Sequence, residues 1–543
     1  MTRARRTGSG TVFIWLTGAA LAACLLMIVG LAILVASRGL VAFWPDRLVE
    51  LTLRDGKKYL VTILEREAIP SEPGKVSGER VQVRLANRDL YGLDFRWVPE
   101  SEIASRRSPQ NALLVERQEY GPFHGYLAWV SRDGQRTEGS GPEALARLHR
   151  LHEESRRRLR EIRRLEKRRI GKVNYAMEQK RLDIRALRQK DPGNAPRTVA
   201  RVATIEREIG TLQARYDALR RRADGIAAEN EKTQVTFVDA NGEEKTLPVS
   251  SVVRFFPANS INALQRFGVY LERLWEFISN EPRESNTEGG VFPAIFGTVM
   301  MVILMSAAVM PFGVLAALYL REYARQGPLV RAVRIAVNNL AGVPSIVFGV
   351  FGLGFFVYLT GGAIDRLFYS ARLPDPTFKT GGILWAALTL ALLTVPVVIV
   401  ATEESLAAVP RGAREGSYAL GATKWQTIRK IVLPAAAPGI LTGLILAMAR
   451  GAGEVAPLMI TGVVKLAPEL PFDVNPPFLH LERKFMHLGF HIYDVGFQSP
   501  NVEAAKPMVY LTTLLLLALV IALNLAAILI RERLRRKLRT ATF

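Results

Sequence analysis

The chain has 543 residues, 49% of them apolar and 22% charged, with a formal net charge of +22 and one cysteine. A mean hydropathy of only +0.13 excludes a purely membrane-embedded protein, and the long apolar runs exclude a purely soluble one. With Cys24 alone, no intramolecular disulfide can form, so any soluble part folds by packing.

Crossing the hydrocarbon of a bilayer takes roughly 20 apolar residues. Windows of that kind fall at 12–36, 291–320, 336–360, 380–400, 435–463 and 507–530, which predicts six spans. The first run is about 25 residues, longer than the ~7–15 of a signal-peptide core, and reads as a retained anchor rather than a cleaved signal. Basic residues next to spans resist translocation. Arg3, Arg5 and Arg6, then Arg321, Arg325, Arg331 and Arg334, then Arg411, Arg414, Lys424, Arg429 and Lys430, and finally six in the tail RERLRRKLRTATF all fall on one side when six spans alternate. That side is the cytoplasm, so both termini are expected inside, and 37–290, 361–379 and 464–506 outside.

The long outer segment opens with alternating, strand-like sequence. LVELTLRDGKKYLVTILE at 48–65 and TQVTFVDANGEEKTLPVSSVVRFF at 233–256 each read as a hairpin around Asp-Gly or Asn-Gly, with further strands at 79–85 and 125–134. Between them the spacing predicts a helical hairpin, 142–190 and 196–231, turned by DPGNAP. In its second arm Val202, Ile205, Ile209, Leu212, Tyr216, Leu219, Ala223 and Ile226 recur at alternating steps of three and four, a coiled-coil pattern. The first arm is less regular, and 143–190 carries 17 Lys or Arg against 7 Asp or Glu. Such a surplus suits nucleic acid, but the outer side of the membrane holds none, so no nucleic-acid partner is expected. A solvated face is the plain reading, with acidic lipid contact or a field that gathers anions as the other. ALQRFGVYLERLWEFISN at 263–280 aligns Phe267, Leu271, Leu274, Trp275 and Ile278, as an interfacial helix would, or one packed on the β domain.

Between the fourth and fifth spans lies EGSYALGATKWQTIRKIVLP. Glu415, Gly416 and Ser417 are followed by three residues and Gly421, then nine residues, Ile431, one residue, Leu433 and Pro434. This spacing resembles the EAA loop of ABC importer permeases, with Gly416 and Ser417 standing where that pattern has two alanines. A helix-turn-helix there acts as a lever docked on a motor subunit, and Gly421 permits its turn. No phosphate-cradling G-x-x-x-x-G-K-[ST] occurs, so the energy source is expected on another polypeptide.

Three segments, NNLAGVPSIVFGVFGLG, TGGILWAALTLALLTVPVVIVATEESLAAVP and GLILAMARGAGEVAPLMITG, resemble the phosphate-specific permeases of the PstA family over about 290–535. The resemblance implies the ABC importer permease fold for that core. With the six spans and the outer segment read above, the chain is expected to be an α-helical polytopic membrane protein whose periplasmic α+β domain, carrying a coiled-coil hairpin, looks like the enlarged external loop of a long PstA variant. The expected division is an anchor at 1–36, a periplasmic domain at 37–289, a permease core at 290–535 with its coupling loop at 402–434, and a cytoplasmic tail at 536–543. It implies a bacterial inner-membrane location and three kinds of partner. These are a PstC-like second permease, a PstB-like ATPase dimer holding ATP and magnesium, and a PstS-like periplasmic phosphate-binding protein; membrane lipid is the remaining contact. The chain itself is expected to be neither an enzyme nor a cofactor carrier.

Arg450 and Glu454, four apart in a span, are placed on one helical face near its middle, where charges must face protein or a water-filled path. Arg450 offers a planar fork of donors to an oxyanion and Glu454 orients it, or the two form only a packing pair. Gly342 and Pro344 predict a broken helix around Asn338, Asn339 and Ser345, which supply neutral hydrogen bonds to cargo or close packing between helices. Glu403 and Glu404 read as loop or coupling residues. His487 and His491, at helical spacing, lack a third ligand and read as packing or pH-sensitive groups rather than a metal site. The competing classes are a sulfate or molybdate permease and a membrane sensor or tether. The latter would need a cytoplasmic output domain, whereas about a dozen residues follow the last span.

Overall fold

A computed structural model describes residues 9–70, 76–139, 141–193, 195–499 and 501–540. The predicted inside residues Arg3, Arg5 and Arg6 lie outside that set. Among the described residues six helices are long and apolar enough to cross a membrane: Val12–Val41, Phe292–Tyr323, Ser345–Phe368, Ile383–Ala407, Lys424–Gly453 and Val502–Arg536. They are the first to sixth spans. The third differs most from expectation. A short helix, Pro328–Leu340, ends before Gly342 and Pro344, and the span starts only at Ser345. Proline at 344 cannot donate a backbone N–H and biases residue 343 away from helix, so the apolar window 336–360 straddles a break.

The spans pack through small residues. A Cβ on Gly313 would lie 2.6 Å from Val398 Cγ1, and one on Gly352 would lie 2.2 Å from Thr389 Oγ1. Around these close approaches Met301, Met305, Val309, Leu390, Leu393, Val398 and Leu458 form one buried cluster. The first span stands apart from it, with most of its apolar surface exposed.

Residues between the first and second spans form two antiparallel sheets. One has the order β4 (Phe95–Pro99), β3 (Val76–Arg84), β2 (Lys58–Pro70), β1 (Val49–Leu53), β5 (Ile103–Arg107). The other has the order β10 (Glu244–Pro248), β9 (Thr233–Val238), β7 (Phe123–Arg132), β6 (Leu113–Arg117), β11 (Val252–Pro257), with β8 (Gln135–Glu138) beside β7. Leu48, Leu60, Ala112, Leu114, Phe256 and Ala258 join the sheets. Gly56 and Gly242, at φ of 86° and 88°, occupy the turns flagged by Asp-Gly and Asn-Gly.

A helical hairpin leaves the second sheet. Its first arm runs Pro142–Arg164, passes through a wide π-type turn at Leu165–Ile170, and continues as Gly171–Lys190; the second arm is Pro196–Glu231. That extra-wide turn resets the phase of the apolar stripe, which is why the first arm's spacing is irregular. Leu165 and Ile170 bury against Ala223 with Tyr216, Leu219 and Ile226 beside them, and Ile184 buries against Val202 and Ile205. At the hairpin's root, Leu148 and Leu151 enter the core of the second sheet. Farther out, Tyr175 Oη donates to the Pro476 carbonyl at 2.5 Å and Gln189 Nε2 donates to the Ser370 carbonyl at 3.0 Å. The first arm therefore rests on the loops after the third span and before the sixth.

Candidate coupling loop and transport pathway

The fourth span ends at Ala407, and a short helix follows at Arg411–Ala419. Gly421 then takes φ +80°, a left-handed conformation that a side chain would strain, and the chain reverses. Thr423 caps the next helix by accepting from the Gln426 N–H while Gln426 Oε1 accepts from Thr423 N–H, a capping box that fixes its start. The result is a helix-turn-helix leading into the fifth span, as the spacing around Gly421 predicts.

Three side-chain contacts hold this loop. Ser417 Oγ and Thr427 Oγ1, both buried, lie 2.9 Å apart and bind the two helices to each other. Arg414 Nη1 reaches Glu322 Oε1 at 2.8 Å, and Lys424 donates to the Glu322 carbonyl, so both helices attach to the end of the second span. Neither Glu322 nor Thr427 stood out in the sequence; a lone acidic residue among the arginines 321, 325, 331 and 334 was the available signal. Of the predicted loop residues, Glu415, Gly416 and Gly421 are exposed and Ile431, Leu433 and Pro434 are half-buried, while Ser417 is buried. Nothing lies within 4 Å of a Cβ placed on Gly416, so the alanine usual in the pattern would fit equally well. Leu420 is 89% exposed and Trp425 53%, leaving an apolar tip at the turn. Glu403 pairs with Arg334 at 3.1 Å, tying the fourth span to the helix Pro328–Leu340.

The charged pair sits at a helix break rather than within a helix. Ala436 and Ile440, early in the fifth span, pack with Leu318 and Leu406 at the ends of their helices. Gly451 instead abuts Met305, midway along Phe292–Leu318, where a Cβ would meet Sδ at 2.4 Å. The helix Leu433–Gly453 thus stops at mid-depth in the bundle, and a second helix, Ala456–Thr461, completes the path until Thr461 accepts from Gly382 N–H at the head of the fourth span. Glu454 lies in the extended link, at φ −78° and ψ 134°. The expectation of one continuous helical face for Arg450 and Glu454 is corrected accordingly: Arg450 is in the last turn and Glu454 beyond it. Their ion pair is loose, with Nε and Oε1 3.7 Å apart and the side chains 33% and 22% exposed.

The two breaks are neighbours. A Cβ on Gly349, one turn after Ser345, would come within 2.8 Å of Pro457 Cα, one turn after Glu454. Asn338 and Asn339 are exposed at the end of Pro328–Leu340, and Ser345 is half-buried at the start of the third span. Among the described residues no hydrogen bond joins these three side chains to Arg450 or Glu454. Broken helices present unpaired backbone groups, which inside a membrane are tolerated where protein or a water-filled cavity satisfies them.

The histidines are part of the packing. Burial pushes the His487 imidazole down to about 3 and that of His491 to about 4, which favours the neutral form and the packing reading. No cluster with metal-ligand composition occurs among the described residues.

Residues 309–540 match the family described as binding-protein-dependent transport system inner membrane component. The phosphate transport system permease protein PstA 1 of Mycobacterium tuberculosis is 35% identical over 244 residues, 45% of this chain and 71% of that one. The chain belongs to the PstA family of binding-protein-dependent transport permeases. It is also 33% identical over 221 residues to the probable ABC transporter permease YqgH of Bacillus subtilis, covering 39% of this chain and 66% of that relative. Among solved structures, the MetNI methionine ABC transporter in an inward-facing form is 20% identical, with a TM-score of 0.33 over 44% of this chain and 94% of that one. Six apolar helices and family membership make this a multi-pass inner-membrane protein. The two sheets and the hairpin precede the matched residues.

Proposed function

We propose that the chain is the membrane-spanning subunit of an ATP-driven importer of inorganic phosphate. The observation that carries this reading is the similarity of the membrane core to permeases named for phosphate transport, in Mycobacterium tuberculosis and in Yersinia pestis, the latter 38% identical over 188 residues. A separate ATPase dimer, which binds ATP and magnesium, would grip the loop through Glu415, Gly416, Ser417, Gly421, Ile431, Leu433 and Pro434. The exposed tip at Leu420 and Trp425 suits a groove on such a motor. The loop's ties to Glu322 would pass its displacement to the second span, and the direct run of chain would pass it to the fifth.

Sidedness follows from the arginines and lysines flanking the spans. It puts the loop and both termini in the cytoplasm, and the sheets with their coiled-coil hairpin in the periplasm. A second permease subunit would complete the pathway and an external binding protein would deliver the anion. At the adjacent helix breaks, Arg450 presents a guanidinium fork to phosphate oxygens while Glu454, a loose partner at 3.7 Å, limits how tightly the anion is held. Asn338, Asn339 and Ser345 supply neutral hydrogen-bonding groups along the same route.

ATP-driven uptake into vesicles containing all subunits tests the reading. Phosphate should accumulate, and excess sulfate or molybdate should not compete; accumulation of either in place of phosphate assigns the permease to that anion. Arg450→Ala should reduce uptake at least 10-fold with assembly intact, and unchanged uptake would leave the pair a packing contact. Gly421→Asp should release the ATPase from the complex, and its retention in a pull-down would refute the lever.

A further inference from the structure

The helix Ala263–Ser279 is amphipathic in the sense opposite to that of a soluble surface helix. Three of its four charged residues point into the protein, and Glu272 is the exposed one. Arg266 is 8% exposed and donates to the Pro45 carbonyl at 2.6 Å; Arg273 pairs with Glu116 at 2.7 Å; Glu276 pairs with Arg254 at 3.0 Å. Its large apolar residues point out, with Leu264 78%, Phe267 48%, Leu271 46%, Trp275 70% and Ile278 38% exposed. At about 100° per residue these five occupy an arc of about 80°. An uninterrupted apolar stripe backed by an inward-facing charged network needs a non-aqueous neighbour.

The position of the helix says which neighbour. Phe43 and Trp44, just past the first span, place their rings 5.4 Å from Phe277 and 6.0 Å from Tyr270. At the other end Val291 N–H donates to the Phe277 carbonyl at 2.8 Å and Phe292 N–H to the Asn280 carbonyl at 3.2 Å, and Phe292 opens the second span. Where one membrane helix leaves the bilayer and the next enters, the same short helix is attached to both. Its stripe carries a tryptophan, the residue enriched at the headgroup level.

We propose that Ala263–Ser279 lies in the interfacial plane of the bilayer, with Leu264, Phe267, Leu271, Trp275 and Ile278 inserted at the headgroup–acyl boundary, and that lipid rather than protein covers this face. Through Arg273 and Arg254 on Glu116, the seated helix sets the height of β6 and β11 above the membrane, and with them the hairpin. The proposal does not depend on the transported anion.

Site-directed spin labelling of the full chain in phosphatidylcholine–phosphatidylglycerol vesicles tests it. Replacing the single cysteine, Cys24→Ser, gives the background, and labels go in at Leu271→Cys, Trp275→Cys and Glu272→Cys. Oxygen should collide with the labels at 271 and 275 at least several-fold more often than a water-soluble nickel chelate does, with the order reversed at 272. Equal or higher nickel collisions at 271 and 275 would place the stripe in water, and low collisions with both reagents would place it against a second protein; either result overturns the proposal. Leu264→Cys is the variant that guards against misfolding, because that side chain can be replaced without touching the packed face. A label there must show the same oxygen preference.

Discussion

The membrane core and the domain outside it solve the packing problem in opposite ways. In the core, glycines let the spans approach closely: a Cβ on Gly443 would lie 2.5 Å from Ala401 Cβ, and one on Gly439 would lie 2.1 Å from Ser405 Oγ. Lipid is as apolar as leucine, so no hydrophobic gain separates a buried side chain from an exposed one, and close contact must do the work. In the outer domain, large apolar residues fill the sheets, and charged side chains close the seams. Arg254 touches Glu116, Glu272 and Glu276, and Arg273 touches Glu116. One chain therefore follows two solvents, and substitutions should fail differently on each side of Phe292.

The largest expected effect is at the domain's charged seam. Burial raises the Glu116 pKa, but Arg273 and Arg254 outweigh it and hold the carboxyl below its ordinary value of 4.5. Glu116→Gln leaves the half-buried guanidinium of Arg273 without its carboxylate and Arg254 with Glu272 and Glu276 only, which costs about 3–5 kcal/mol. Hydrogen exchange should then rise in β6, β11 and the helix Ala263–Ser279 while the spans stay protected. Because the folded pKa is depressed, this group's contribution is complete above pH 4.5 and is lost as pH falls below it through the folded value. Acid should accordingly open the outer domain before the membrane core in the native chain, and this order should vanish in the variant.

Next comes the core's rule. Gly443→Ala forces a Cβ to within 2.5 Å of the Ala401 Cβ and should cost about 1–3 kcal/mol as overpacking. Gly416→Ala adds the same methyl where nothing lies within 4 Å and should be silent. Thermal denaturation of the two variants in detergent separates them; equal midpoints would mean that close helix contact is not what holds the core.

The same division governs what could be read from the letters. Span count and positions were legible because a bilayer demands length and apolarity and little else. So was the turn at Gly421, where spacing and a left-handed residue coincide. The break at Gly342–Pro344 was legible from those two residues, yet the third span was placed about nine residues early because hydropathy counts the apolar sequence on both sides of the break. Arg450 and Glu454 were singled out as charges in a span, but the spacing of four assumed a helix that ends at Gly453. The second arm of the hairpin was regular and legible, whereas the wide turn at Leu165–Ile170 has no signature beyond a lost phase. Ties such as Glu322 to Arg414 join residues 92 apart and leave no local pattern.

A smaller effect sharpens the view of the loop that joins both regimes. Gly421→Ala keeps the turn but places a Cβ at φ +80°, costing roughly 1–2 kcal/mol of local strain. Nothing lies within 4 Å of that Cβ, so the cost is conformational rather than steric against a neighbour. The melting temperature of the bundle should barely move, while hydrogen exchange between Arg411 and Thr427 should quicken. Protection unchanged from the native chain would show that the turn tolerates a side chain there.

The smallest effect concerns where the two regions meet outside the membrane. Tyr175 is half-buried, and its solvent-exposed bond to the Pro476 carbonyl competes with water, so Tyr175→Phe should cost at most about 0.5–1.5 kcal/mol. Gln189 still holds Ser370 through two hydrogen bonds, 3.0 Å and 3.3 Å long, at the far end of the same arm. Loss of one of two attachments should loosen the arm's midpoint without releasing its tip. Paired spin labels should show this as a broader distance distribution between 172 and 479, with the distribution between 188 and 371 unchanged. If both broaden together, the arm behaves as a rigid rod hinged at its root in the second sheet. In that case the contacts with the permease loops act as a single latch.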